Sequence, residues 1–253
     1  MAEQKQEFKF PTEVIDLPSG GKLYPKESAL SSGKIELKYM TAKEEDILTS
    51  QNLIKKGVVI DKLLTSLIVD KDINIEDLFI GDKNAVMIAS RILAYGGNYE
   101  VEITDPNSGE KTQHTFDLTE CQFKELPAGI DYSTNEFELK LPISKTLITF
   151  KLLTGKDEDS INKELKSLQK VGKSAEVTTR LRHVITSVNG NNDEYVVTNF
   201  VNNLLSKESL ILRDEITRIN PDIDLKQEVE IGGETTEMVI PMTVEFFWPK
   251  TGA

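Results

Sequence analysis

The sequence predicts an α+β protein of two related halves, each with a strand, several helices and a β-hairpin. Three observations predict it. Ile35–Leu48 (IELKYMTAKEEDIL) and Ile148–Ile161 (ITFKLLTGKDEDSI) align with identities at Ile35/Ile148, Lys38/Lys151, Thr41/Thr154, Lys43/Lys156, Glu45/Glu158 and Asp46/Asp159, six of fourteen positions. Further on, Val101-Glu102-Ile103 is echoed by Val229-Glu230-Ile231, and Gly109-Glu110-Lys111-Thr112 by Gly233-Glu234-Thr235-Thr236, so the order is kept. Between these matches, apolar residues recur at helical spacing and then at strand spacing in both halves. Two copies are too few for a solenoid, which leaves two halves packed on each other. The expected units are residues 1–16, a tail and lead-in strand; 17–130, the first repeat; and 131–253, the second, with polar, turn-rich Ala128–Glu136 at the border.

Val14–Pro25 (VIDLPSGGKLYP) reads as an extended segment, with Pro18-Ser19-Gly20-Gly21 as the turn between two short strands. A strand follows at Lys34–Met40. Thr41 has N-cap chemistry and Glu44 completes a capping box, a pattern repeated by Thr154 and Asp157. Helix initiation therefore explains the shared Thr-x-Lys-x-Glu-Asp stretch before any binding role does. Val59, Ile60, Leu63, Leu64, Leu67 and Ile68 give a one-sided helix, and Asp82–Tyr95 gives another, ended by Gly96-Gly97. Tyr99–Leu118 is a hairpin around Asp105-Pro106-Asn107-Ser108-Gly109. In the second half, Thr154–Val171, Ala175–Val188, Asp193–Leu205 and Lys207–Ile219 read as helices, the last stopped by Asn220-Pro221. Leu225–Ile231 and Glu237–Phe247 make the second hairpin across Gly232-Gly233.

With 253 residues, 38% apolar and 28% charged, the chain suits one large domain or two modest ones. No apolar run approaches the roughly 20 residues that span a bilayer, and the polar start Met1–Glu7 does not read as a secretory signal. One cysteine, Cys121, forms no intrachain disulfide and suits a reducing compartment. The net charge of -12 opposes binding to phosphate backbones, so nucleic acid is not an expected partner. An acidic exterior favours solubility, which fits a protein whose clients aggregate readily.

The search for catalytic chemistry is negative. His114 and His183 stand alone, without an HExxH pairing, and read as structural. Gly172-Lys173-Ser174 fails as a phosphate loop because position 167 is Ser and the preceding stretch is helical. No GxSxG, GxGxxG or EF-hand pattern occurs. No catalytic, cofactor-binding or metal residue is assigned. Two apolar features are candidate partner contacts: Phe246-Phe247-Trp248 at the C-terminus, and Ile75, Leu78 and Phe79 within INIEDLF. Both read first as core. If exposed they would act as anchors, since aromatic side chains dominate interface energetics. Strand alternation would send Phe246 and Trp248 to one face and Phe247 to the other.

LPSGGKLYP at Leu17–Pro25, MTAKEEDILTSQNLIKKGVVIDKLLTSLIVD at Met40–Asp70, GDKNAVMIASRILAYGGNYEVEI at Gly81–Ile103 and the terminal FFWP together resemble the baseplate hub assembly proteins of T-even-type contractile-tailed bacteriophages. The resemblance runs from about Leu17 to Pro249 and rests on motif order and chain length. It implies a non-enzymatic protein of the infected bacterial cytoplasm, acting on baseplate hub or tape-measure proteins as an assembly factor, or else retained in the virion as a hub subunit. Some relatives carry Cys-Pro-x-Cys-Gly at the first hairpin turn, where this chain has Asp105-Pro106-Asn107-Ser108-Gly109. The hairpins are therefore expected to be degenerate zinc ribbons that hold shape without metal, by pairing with each other or packing on helices. The rival of another class is a carboxylate-dependent hydrolase or transferase.

Overall fold

The computed structural model describes residues 10–104, 109, 111–231, 234–242 and 244–248. Among them the protein is α+β, with eight α-helices, three two-stranded antiparallel sheets and one three-stranded sheet. β1 (Thr12–Asp16) pairs with β2 (Lys34–Lys38), with Ile15 opposite Ile35, and a bridge from Leu37 to Ile68 adds a third line of chain. Between β2 and that bridge lie α1 (Ala42–Thr49), α2 (Gln51–Lys56) and α3 (Val59–Leu67). Then come α4 (Ile80–Tyr95) and the hairpin of β3 (Asn98–Thr104) with β4 (Lys111–Asp117).

The second half follows a similar course with different helix numbers, two before its third strand and two before its hairpin, against three and one in the first. β5 (Phe137–Lys140) pairs with β6 (Leu147–Phe150), and β6 with β7 (Ile185–Val188), after α5 (Gly155–Lys170) and α6 (Glu176–Val184). α7 (Glu194–Asn203), α8 (Ser206–Ile219) and the hairpin of β8 (Lys226–Ile231) with β9 (Glu234–Val239) complete it. The β6 to β7 pairing of Phe150 with Ile185 sits where the first half has its bridge from Leu37 to Ile68.

Several sequence expectations are corrected. Lys22–Tyr24 forms turns, not a strand, and β1 takes its partner beyond them in β2, because Gly21 and Gly33 lie backbone to backbone. A Cβ on Gly21 would stand 2.3 Å from the Ser31 carbonyl oxygen. The helix expected over Ala175–Val188 stops at Val184, where β-branched Ile185-Thr186-Ser187-Val188 goes to the sheet instead. The strand expected over Glu237–Phe247 stops at Val239, since Pro241 cannot donate to a ladder, and Val244–Phe247 is a 3-10 turn.

Two buried clusters fill the molecule. The first joins β1, β2, α1, α3, α4 and the first hairpin to Ile223, Val229, Ile240, Phe246 and Phe247 from the far end of the chain. The second joins β5 to β7 with α6 to α8 and takes in Leu23 and Phe79 from the first half. The halves are interlocked: each core contains side chains of the other.

The two hairpins remain separate sheets but lie side by side. The Gln227 side chain accepts from the Asp117 N–H (3.3 Å) and donates to the Asp117 carbonyl (2.6 Å), while the Tyr99 hydroxyl donates to the Pro241 carbonyl (3.2 Å). Of the turn residues that distinguish these hairpins from a zinc knuckle, Asp105, Pro106, Asn107 and Ser108, with Gly232 and Gly233, lie outside the described residues.

Candidate functional site

The repeated sequence builds the same junction twice. At the start of α1, the Glu44 carboxylate accepts from the Thr41 N–H (3.0 Å) and from Lys38 (2.7 Å). At the start of α5, Asp157 accepts from the Thr154 N–H (3.0 Å) and from Lys151 (2.7 Å). A lysine at the end of the strand (Lys38) or just past it (Lys151) thus reaches forward to the carboxylate that closes the next helix start. Glu44 is fully buried and also accepts from Ser66 (2.6 Å). Burial alone would raise its pKa, but the hydrogen bonds from Lys38, Ser66 and Thr41 outweigh it and bring it down to about 2.

The second junction is also a docking point. Leu78-Phe79 runs alongside Leu153-Thr154-Gly155, with Ile80 N–H donating to the Leu153 carbonyl (3.2 Å) and Gly155 N–H to the Leu78 carbonyl (2.9 Å). INIEDLF is therefore the seam between the halves: Ile75 and Leu78 enter the first core and Phe79 the second. Close by, Asp82 is fully buried at the start of α4 and accepts from Ser19 N–H (2.9 Å), Ser19 Oγ (2.7 Å) and Tyr24 Oη (2.6 Å). The Tyr24 hydroxyl also accepts from Phe79 N–H (3.1 Å). Burial raises the Asp82 pKa against the opposing effect of these hydrogen bonds. This Ser19–Tyr24–Asp82 group pins the LPSGGKLYP loop to the seam.

The turn Val244–Phe247 is fastened by Arg91, 4% exposed. Its guanidinium donates to the carbonyls of Phe246 (2.9 Å), Gly96 (3.1 Å) and Asn98 (3.2 Å). Phe246 meets Tyr99 edge to face at 5.0 Å and Phe247 at 5.2 Å. Of the six residues singled out as partner contacts, Phe246, Phe247, Ile75, Leu78 and Phe79 are buried, leaving Trp248, 42% exposed, as the one that solvent or a partner reaches. A 3-10 turn replaces the expected strand and tucks both phenylalanines under α4.

Sequence reasoning missed Asp82, Arg91 and Glu208. Glu208, in the first turn of α8, accepts from the N–H groups of Ile143 (2.8 Å) and Ser144 (2.7 Å) and so holds the β5–β6 connection. Each looks like an ordinary helical charge in one dimension; a lone charge on the apolar stripe of its helix, as at Arg91 beside Ile88 and Ile92, was the available signal. His183 faces Glu164 at 3.2 Å, a carboxylate that also pairs with Arg182, and His114 packs against Phe116. A groove of about 420 Å³ between α5, α6 and α8 holds Glu158 and Glu176, with Glu158 already paired to Arg180. No cluster of three or more metal-ligating side chains occurs among the described residues.

Residues 10–248 match the family described as T4 bacteriophage base plate protein. The chain belongs to that family. No curated protein and no solved structure matches it significantly. The T4-type baseplate protein thus has a phage baseplate role among other baseplate proteins. No helix of this baseplate protein, among the described residues, is long and apolar enough to cross a membrane.

Proposed function

We propose that this baseplate protein is a non-enzymatic assembly factor that binds a hub or tape-measure subunit in the infected bacterial cytoplasm and masks its adhesive surface until it is built in. The observation that carries the reading is that the deeply placed ionisable groups are all committed to holding the chain together. Asp82, Glu44 and Arg91 have their polar atoms engaged by loops, helix starts or carbonyls of the same chain, and Glu208 holds two backbone N–H groups through one oxygen. Catalytic carboxylates need at least one face turned to substrate. What the protein offers outward is an acidic exterior, with net charge -12, interrupted by exposed apolar side chains including Trp248, Tyr195 and Phe10.

Co-expression with each hub and tape-measure protein of the same phage, followed by size-exclusion chromatography, tests the contact. One of them should co-elute; if every candidate elutes apart from it, the proposal fails. Mass spectrometry of purified particles tests the timing. An assembly factor is missing from finished virions, whereas peptides at stoichiometry with the baseplate would make the protein a retained hub subunit. The duplicated junction and the recurring element order support descent of the two halves from one doubled unit, and both are used as scaffold.

A further inference from the structure

The surface that meets the partner is open to the same physical reading, on the premise that the protein works by protein contact. Over the solvent face of β2 and its bridge to Ile68, beside α1, lies an open groove of about 620 Å³. Its apolar floor includes Phe10, 48% exposed, and Val69, 38% exposed, with Ile47 contributed by α1. Exposed apolar side chains gathered in one concavity carry more meaning than the same residues scattered. On the side toward β1, Val69 donates its N–H to the Glu36 carbonyl (3.0 Å) and exposed Glu36 lies opposite Val14, itself 57% exposed, so one carboxylate borders the groove there without lining it.

The rim has the opposite sign to the molecule. Lys38, Lys43 and Lys71 line the groove and no carboxylate does, in a chain with 42 acidic against 30 basic residues. Lys38 is neutralised by Glu44 at 2.7 Å and lies 5.5 Å from the centroid of the Phe10 ring. Lys71 donates to the Ile68 carbonyl (2.5 Å), a neutral partner, and Lys43 has no ion-pair partner among the described residues. Two uncompensated ammonium groups therefore flank the exposed Phe10 and Val69. These two lysines attract an acidic ligand that the net charge of -12 otherwise disfavours.

We propose that this groove is the docking site for an acidic segment of a partner baseplate protein, which seats an apolar or aromatic side chain against Phe10 and Val69 and places carboxylates at Lys43 and Lys71. Apolar anchoring supplies the affinity and the lysines set orientation and partner choice. Lys38 stays with Glu44 as part of the fold.

The full chain is titrated, by fluorescence anisotropy, with three labelled dodecapeptides: Glu-rich with Leu and Phe every third residue, the same with Lys for Glu, and the same with Ser for Leu and Phe. The Glu-Leu-Phe peptide should bind saturably at micromolar concentration, at least tenfold more tightly than either control. The Lys43→Glu/Lys71→Glu variant, shown to melt like the parent, should lose at least tenfold and now prefer the Lys peptide; Val69→Asp should lose the apolar preference. The proposal is overturned if no peptide binds below millimolar, if all three bind alike, if the double variant keeps its Glu preference, or if a labelled oligonucleotide binds as well as the acidic peptide. A parent chain that co-elutes with a hub or tape-measure protein, and a double variant that still does so, would sink this groove alone. A parent that binds no such protein would sink the assembly role itself.

Discussion

Glu44 and Asp82 are both buried carboxylates, and acid should move their contributions in opposite directions. Hydrogen bonds hold Glu44 at about 2 against an ordinary 4.5, so its stabilisation is present above about pH 4.5 and is lost as pH falls toward 2. Burial raises Asp82 above its ordinary 3.8, so its contribution is full below that value and is lost as pH rises through the folded value. Glu44→Gln should therefore cost about 2 kcal/mol near neutrality, from the weakened Lys38 and Thr41 interactions, and the gap to the parent should narrow at acid pH. Asp82→Asn keeps an acceptor for Ser19 N–H and removes the buried charge; it should stay within about 1 kcal/mol of the parent and gain on it as pH rises, whereas Asp82→Ala should lose about 3 kcal/mol by stranding Ser19 and Tyr24. Thermal melts from pH 3 to 8 check all three. Equal pH profiles for the two carboxylate variants would refute the assignment of opposite shifts.

At the scale of the element, close backbone approaches decide what packs where. Gly81 opens α4 against the turn after α8, and a Cβ there would lie 1.8 Å from the Pro221 carbonyl oxygen. Gly81→Ala must push α4 off residues 221–224, a loss of about 3 kcal/mol or more, read as a fallen denaturation midpoint; Gly155→Ala, whose nearest backbone neighbours stand at 3.1 Å, should cost visibly less. Arg91→Met should release the 3-10 turn that carries Phe246 and Phe247, costing about 3 kcal/mol as three carbonyls lose their donor. Much of this layer was legible. Thr41 and Thr154 announced both helix starts, and the 3.6-residue period found α3 and α4 because one face of each is core. Less legible were Ile185–Val188 and the C-terminal segment. The helical period runs into a strand at the first, and Pro241 breaks the strand at the second, outcomes set by which neighbour offers free backbone groups. Asp82 and Arg91 were hidden for the same reason: their partners lie 63 and 155 residues away in sequence.

For the molecule as a whole, the self-match pointed to two halves but not to their exchange of side chains. Phe246, Phe247 and Val229 complete the first core, and Phe79 and Leu23 enter the second. Fragments cut at the 130/131 border should therefore fail to fold separately, and the intact chain should unfold in one transition by circular dichroism and by Trp248 fluorescence alike. Two well-separated transitions would contradict the interlock. An interlocked body with an acidic exterior is compatible with the proposed handling of other subunits by surface contact. The most direct measurement is affinity capture of the tagged protein from phage-infected cells, with the co-purifying proteins quantified by mass spectrometry. The account predicts one hub or tape-measure protein at near-equal stoichiometry with the bait; a bait recovered alone, with no baseplate protein enriched over an untagged control, would contradict it.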